Sequence, residues 1–170
     1  MDNQLAELSR DGDFVTARMV RRMEHAPDVV WRALTQPAML AQWLAPGSIE
    51  PRVGGAVRLE FAGSGTVIDS QVSAFEGGRM LEYAWSKPGE PLRPVRWVLE
   101  AEGAACMLVL TVKTPAGEDP GRACAGFEAH LEMLAAALAG APIGFPFETF
   151  KAAREAYRPM VAALDSESLP

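Results

Sequence analysis

The chain has only two histidines, His25 and His130, far apart in sequence, and its two cysteines, Cys106 and Cys124, form no CxxC pair. No HExxH motif is present either, so zinc has no ligand set at a usual spacing. Gly63-Ser64-Gly65 is too short for a GxSxG nucleophile elbow. It joins two strand-like runs, which also excludes a phosphate loop and a dinucleotide fingerprint. The sequence therefore predicts no metal, no cofactor and no assembled catalytic set. What it offers is aromatic: Trp31, Trp43, Phe61, Tyr83, Trp85, Trp97 and Phe127. Singly, each reads as core packing. Together they read as the wall of an apolar pocket for a small hydrophobic or aromatic molecule, with Asp69, His130 and Leu131 as further lining candidates. Buried indole and phenol groups need partners, which makes them useful ligand anchors. An enzyme such as a cyclase, dehydratase or hydrolase is an alternative. Its acid and base would come from Asp69, Glu60, Glu82, Tyr83 and His130, no two of which the sequence places together.

Arg21 interrupts the apolar face of a strand, where an arginine is costly unless paired. It either reaches solvent at the strand's end or meets an acidic group of the ligand. Glu128 and Glu132 read as solvated.

These residues need elements to position them. Residues 14–24 alternate as a strand, with Val15, Ala17, Met19 and Met23 on one face. Pro27 and Pro37 then sit where first-turn prolines belong, opening two short helices with Val30, Ala33 and Leu34, then Leu40, Trp43 and Leu44 at helical spacing. Neither would stand alone in water, so both must lie on something. A weak strand over IEPRV follows, and then AVRLEF, TVIDSQVSAFE, RMLEYAW, VRWVLEA and CMLVLTVK. Short Gly-rich turns separate most of them, which is the grammar of an antiparallel meander. Asp119 caps a helix that opens with Pro120 and ends near Gly140, with Cys124, Phe127, Leu131, Leu134 and Leu138 at helical steps. About 20 residues of helix run about 30 Å, close to the width of six strands at about 4.8 Å each. The fold class predicted is α+β: a curved antiparallel sheet of six to seven strands wrapped around a long terminal helix. Because one helix about 10 Å wide cannot fill a broad concave sheet, a hollow is expected beside it.

At 170 residues with 49% hydrophobic content, the chain suits one domain with a sizeable core. The predicted organisation is a loose leader over 1–12, the main domain over 13–140, and a helical arm over 141–170 packed on that domain or on a partner subunit. The net charge of −6, with scattered arginines, excludes a nucleic-acid binder. No apolar run reaches membrane-spanning length. The polar start MDNQLAELSRDGD lacks a signal core, so cytoplasmic residence and reduced cysteines are expected. On the strand CMLVLTVK, Met107 and Val109 face opposite to Leu108 and Leu110. Both sides are thus apolar, which favours a homodimer or cover by the arm.

In order, Ala26-Pro27, Val30-Trp31, Ala33-Leu34-Thr35, Pro37, Trp43, Pro46, Gly54-Gly55, Leu81, Tyr83, Trp85, Gly126, His130-Leu131 and Leu134 form a series that resembles the START-like SRPBCC superfamily. The branch it is most similar to is that homologous to the activator of the heat-shock-protein-90 ATPase. The resemblance covers about Phe14 to Gly140 and implies the helix-grip fold. It does not imply one activity, because lipid carriers, cyclases, hydroxylase domains and co-chaperones share that fold. Three positions depart from the pattern: Phe127 where Trp is usual, Leu44 in place of a second aromatic, and His25 before Ala-Pro. The function expected is binding of a small apolar ligand in the hollow. A co-chaperone-like activator of a heat-shock ATPase is the alternative that the resemblance adds.

Overall fold

A computed structural model describes residues 5–167. Its elements run β1 (Glu7–Asp11), β2 (Phe14–Met23), α1 (Pro27–Thr35), α2 (Pro37–Trp43), β3 (Gly47–Ile49), β4 (Ala56–Phe61), β5 (Thr66–Glu76), β6 (Met80–Ala84), β7 (Pro94–Glu102), β8 (Ala105–Pro115), α3 (Pro120–Leu138) and α4 (Phe147–Glu167). All eight strands form one antiparallel sheet in the order β1-β2-β8-β7-β6-β5-β4-β3. The sheet is curved and unclosed, and α3 packs across it against β2 and β8. The helix-grip architecture expected from the sequence is the one observed, with eight strands where six to seven were expected.

Local signals account for most of the elements. Pro27 and Pro37 occupy first-turn positions of α1 and α2, where the missing N–H removes no bond. The Asp119 side chain accepts from the backbone N–H groups of Gly121 and Arg122, which caps α3. The alternating strands send Val57 and Leu59, Leu81 and Tyr83, and Val95, Trp97 and Leu99 into one core with the faces of α1, α2 and α3. Cys106 and Cys124 are buried free thiols, and burial pushes Cys124 up to about 12.

Two expectations are corrected. Residues 7–11, assigned to a loose leader, are an edge strand. Asp11 and Phe14 pair across a two-residue turn in which Gly12 adopts φ +61°, and the Gly12-Asp13 pair, with glycine first, is the signal for it. Residues 1–4 of that leader lie outside the described residues. The weak strand over IEPRV is shorter and earlier, ending at Ile49 before Pro51. Gly47 makes it possible: with φ +148°, a Cβ there would lie 1.9 Å from the Arg58 carbonyl oxygen.

The arm forms α4, which packs on α3 and on β1. Gly121 faces α4, and a Cβ there would lie at ordinary contact distance from Val161 and Tyr157, 3.4 and 3.6 Å. Residues 168–170 lie outside the described residues.

Arg21 does neither of the things expected of it. It forms an ion pair with Glu128 of α3, both side chains being about nine-tenths buried. Glu128 is thus not solvated. It also accepts from the Tyr157 hydroxyl at 2.5 Å, and that oxygen in turn accepts from the Ala6 N–H at 2.7 Å. One carboxylate therefore ties β2, α3 and α4 together, and through Tyr157 the residue leading into β1. Burial and the Glu128 carboxylate hold the Tyr157 phenol well above its ordinary value.

Candidate functional site

The groove beneath α3 is filled at one end and open at the other. At the filled end, Trp43 donates its indole N–H to the Ala33 carbonyl at 2.7 Å and meets Trp97 edge-on, with centroids 5.6 Å apart. Tyr83 is buried beside them, and burial raises its phenol above the ordinary value. The neighbouring Trp97 N–H opposes that shift without meeting the geometry of a hydrogen bond, and it has no partner among the described residues.

At the open end lies a solvent-open pocket of about 600 Å³, within the usual ligand-site range of roughly 300–1,000 Å³. Phe61, Trp85 and Phe127 form its aromatic wall. Trp85 meets Phe127 at 5.0 Å and Phe61 at 5.7 Å between centroids, both edge-on. The α3 side contributes Arg122, Ala123, Gly126, Phe127 and His130, a stripe at helical spacing. Phe150 of α4 borders the cavity. At its mouth, Arg93 grips Glu118 with two bonds of 2.8 and 3.0 Å and bonds the Trp85 carbonyl at 3.2 Å. That fork fixes the chain before β7 to the start of α3.

His130 is tethered. Its Nδ1 lies 3.0 Å from the Trp43 carbonyl oxygen, and Phe61 and Phe145 meet its ring edge-on at 5.8 and 5.5 Å. Burial holds its pKa below the ordinary value, although the Trp43 carbonyl opposes the shift.

The ten candidate residues divide into three groups. Phe61, Trp85, Phe127 and His130 line the cavity. Trp43, Tyr83, Trp97 and Leu131 are core behind or beyond it, and Trp31 packs half-buried against Phe75 at 5.8 Å. Asp69 lies on the opposite face of the sheet, exposed and 3.6 Å from Arg58, because its β5 position alternates with the inward Ile68. Glu60 and Glu82 share that outer face, paired with Arg58 and Arg96. The acid–base candidates are thus split between the two faces. Sequence reasoning did not place Arg93, Glu118, Gly126 or Phe150 at the cavity. Phe150 carried a signal through its helical spacing with Phe147 and Tyr157, and Gly126 through its place in the family series.

Among the described residues, no group of His, Cys, Asp and Glu could hold a metal ion. No helix of the described residues is long and apolar enough to cross a membrane.

Residues 24–139 match the family model described as Activator of Hsp90 ATPase homolog 1-like protein. Comparison with curated proteins found no match. Among solved structures, CalU16 from Micromonospora echinospora is 24% identical with TM-score 0.73, covering 95% of this chain and 98% of its own. The protein encoded by BPP1335 of Bordetella parapertussis is 27% identical with TM-score 0.70, covering 87% and 86%. DynU16, a protein in the dynemicin biosynthetic locus, is 27% identical with TM-score 0.66. That match covers 78% of this chain and 49% of DynU16.

Proposed function

The chain belongs to the family of Activator of Hsp90 ATPase homolog 1-like proteins, and we propose that it binds a small, flat, apolar molecule in the cavity between the sheet and α3. One observation carries the reading. Gly126 sits within α3, where glycine costs about 1 kcal/mol relative to alanine. Its backbone conformation does not require glycine, and a Cβ there would meet nothing within 4 Å. The helix thus forgoes stability at a position in the middle of the stripe that faces the cavity. Gly126 is half-buried beside a solvent-open pocket, and the missing side chain keeps that space clear for an occupant. Phe61 and Trp85 on the opposite wall, with Phe127 beside Gly126, suit a planar one. The origin of DynU16 in a biosynthetic locus agrees with small-molecule handling on this fold.

A thermal-shift screen with fatty acids, sterols, polyketides and simple aromatics tests the proposal. A ligand present at one hundred times its Kd adds about 2.7 kcal/mol of stability. The expected result is a rise in Tm with planar aromatics. No shift with any class would overturn the reading.

A further inference from the structure

The following rests on the cavity reading above and names the polar group its ligand must carry. A backbone carbonyl only accepts hydrogen bonds. The Nδ1 of His130, 3.0 Å from the Trp43 carbonyl oxygen, therefore carries the ring proton. In a neutral imidazole the other nitrogen then presents a lone pair. That nitrogen, Nε2, has no partner among the described residues. The ring itself lines the cavity.

The acceptor is also held in place. Phe61 and Phe145 meet the imidazole edge-on. Trp43, which supplies the carbonyl, is locked through its own bond to Ala33. Such fixing lowers the ordering cost of binding. Most other polar groups on the wall are already engaged: Arg93 with Glu118, Lys113 with Asp11, Ser64 with Thr66, and Asp119 with the first turn of α3; the Thr114 hydroxyl, deeper in the wall, has no partner among the described residues. Arg122 is exposed at the rim. Among the aromatic rings of the wall, His130 alone offers an unfilled hydrogen-bond acceptor, since the Trp85 indole N–H can only donate.

We propose that the cavity selects hydroxyarenes: a flat aromatic body against Trp85 and Phe127, with a phenolic O–H donating to Nε2 of His130. A ligand without a donor would strip the surrounding water from Nε2 and leave the acceptor unmet, which costs affinity.

Three probes separate the possibilities on the full-length chain: 2-naphthol, 2-methylnaphthalene and 2-methoxynaphthalene, titrated by tryptophan fluorescence. The expected result is that 2-naphthol binds about tenfold more tightly than either analogue. This should hold even though the methyl group is the more hydrophobic substituent. Histidine-labelled protein should show the Nε2 nitrogen resonance moving with 2-naphthol only. The variant His130→Asn keeps a donor for the Trp43 carbonyl and deletes Nε2. It should bind all three probes with similar affinity, as should His130→Phe.

Equal affinities in the unmodified protein would overturn the hydroxyarene proposal and leave the cavity reading standing. A preference that survives in both variants would remove His130 from the proposal. Failure of all three probes to bind would overturn the cavity reading and this inference together.

Discussion

Gly126 offers the sharpest test, because its two substitutions should move stability and binding in different directions. Replacement by alanine adds a methyl group that meets no atom within 4 Å. It also removes the backbone freedom that glycine loses on folding, worth about 1 kcal/mol in a helix interior. For a domain of this size that corresponds to a rise in Tm of about 2–4 °C. Gly126→Leu keeps most of the helix gain, since leucine is nearly as good a helix former. Its branched side chain, however, extends into the cavity towards Trp85 and Phe61. Binding of 2-naphthol by Gly126→Leu should weaken at least about tenfold, the affinity equivalent of 1.4 kcal/mol, while the folded state is retained. Gly47→Ala provides the opposite sign. There the added Cβ would overlap the Arg58 carbonyl, and unfolding should come at clearly lower urea. Urea denaturation followed by circular dichroism measures stability, and tryptophan fluorescence measures binding. If Gly126→Ala lowers stability, the space beside the helix is not open. If Gly126→Leu binds 2-naphthol as tightly as the parent, the ligand does not occupy this cavity.

Two further outcomes follow from the buried polar groups. Arg21→Met strands the Glu128 carboxylate among β2, α3 and α4 and should cost about 3 kcal/mol in urea denaturation; the double variant Arg21→Met, Glu128→Gln should recover most of it, and a single variant within about 0.5 kcal/mol of the parent would show that the pair carries no weight. His130 has a folded pKa held below its ordinary 6.5 by burial, so the unfolded chain takes up a proton that the folded one refuses. Stability from this group is complete above pH 6.5 and falls as pH drops through the folded pKa. Thermal midpoints measured between pH 7.5 and 5.5 should fall less steeply in His130→Asn than in the parent, and parallel slopes would contradict the assignment.

The sheet, the two proline-led helices and the Asp119-capped helix were legible because each depends on local signals: alternation, first-turn prolines, a cap. The β1 strand was missed although its Gly12-Asp13 turn was in plain view, since a run with few apolar residues reads as loop until a partner strand covers it. The site was half legible. Phe61, Trp85 and Phe127 follow from strand and helix periodicity, which says which face a residue takes. Periodicity does not say how far along the groove the packing stops. That depends on the lateral position of α3 on the sheet, set partly by Arg21 meeting Glu128, a pair separated by most of the chain. Trp43 and Trp97 therefore went to the solid end and Trp85 to the open one, although all are the same residue type. Asp69 was misplaced for a simpler reason: it lies on the outward face of β5, the one that Ile68 and Val72 leave to solvent.

The open end exists because α3 serves three surfaces at once. Leu131, Leu134 and Ala137 are buried in the core. Gly121 and Glu128 face α4 through Tyr157. The remaining stripe, Arg122, Ala123, Gly126, Phe127 and His130, faces the cavity. Small residues occupy the middle of that stripe, and a larger one at either place would close the space without disturbing the other two surfaces. Fold and site are thereby separable on one helix. The solid half can supply most of the stability, so the open half is free to change its lining. On the proposed reading, Ala123 and Gly126 are where substitution in this chain would change the shape of the pocket at little cost to folding. The Arg21–Glu128 pair, which sets where the helix lies, is where change is expensive.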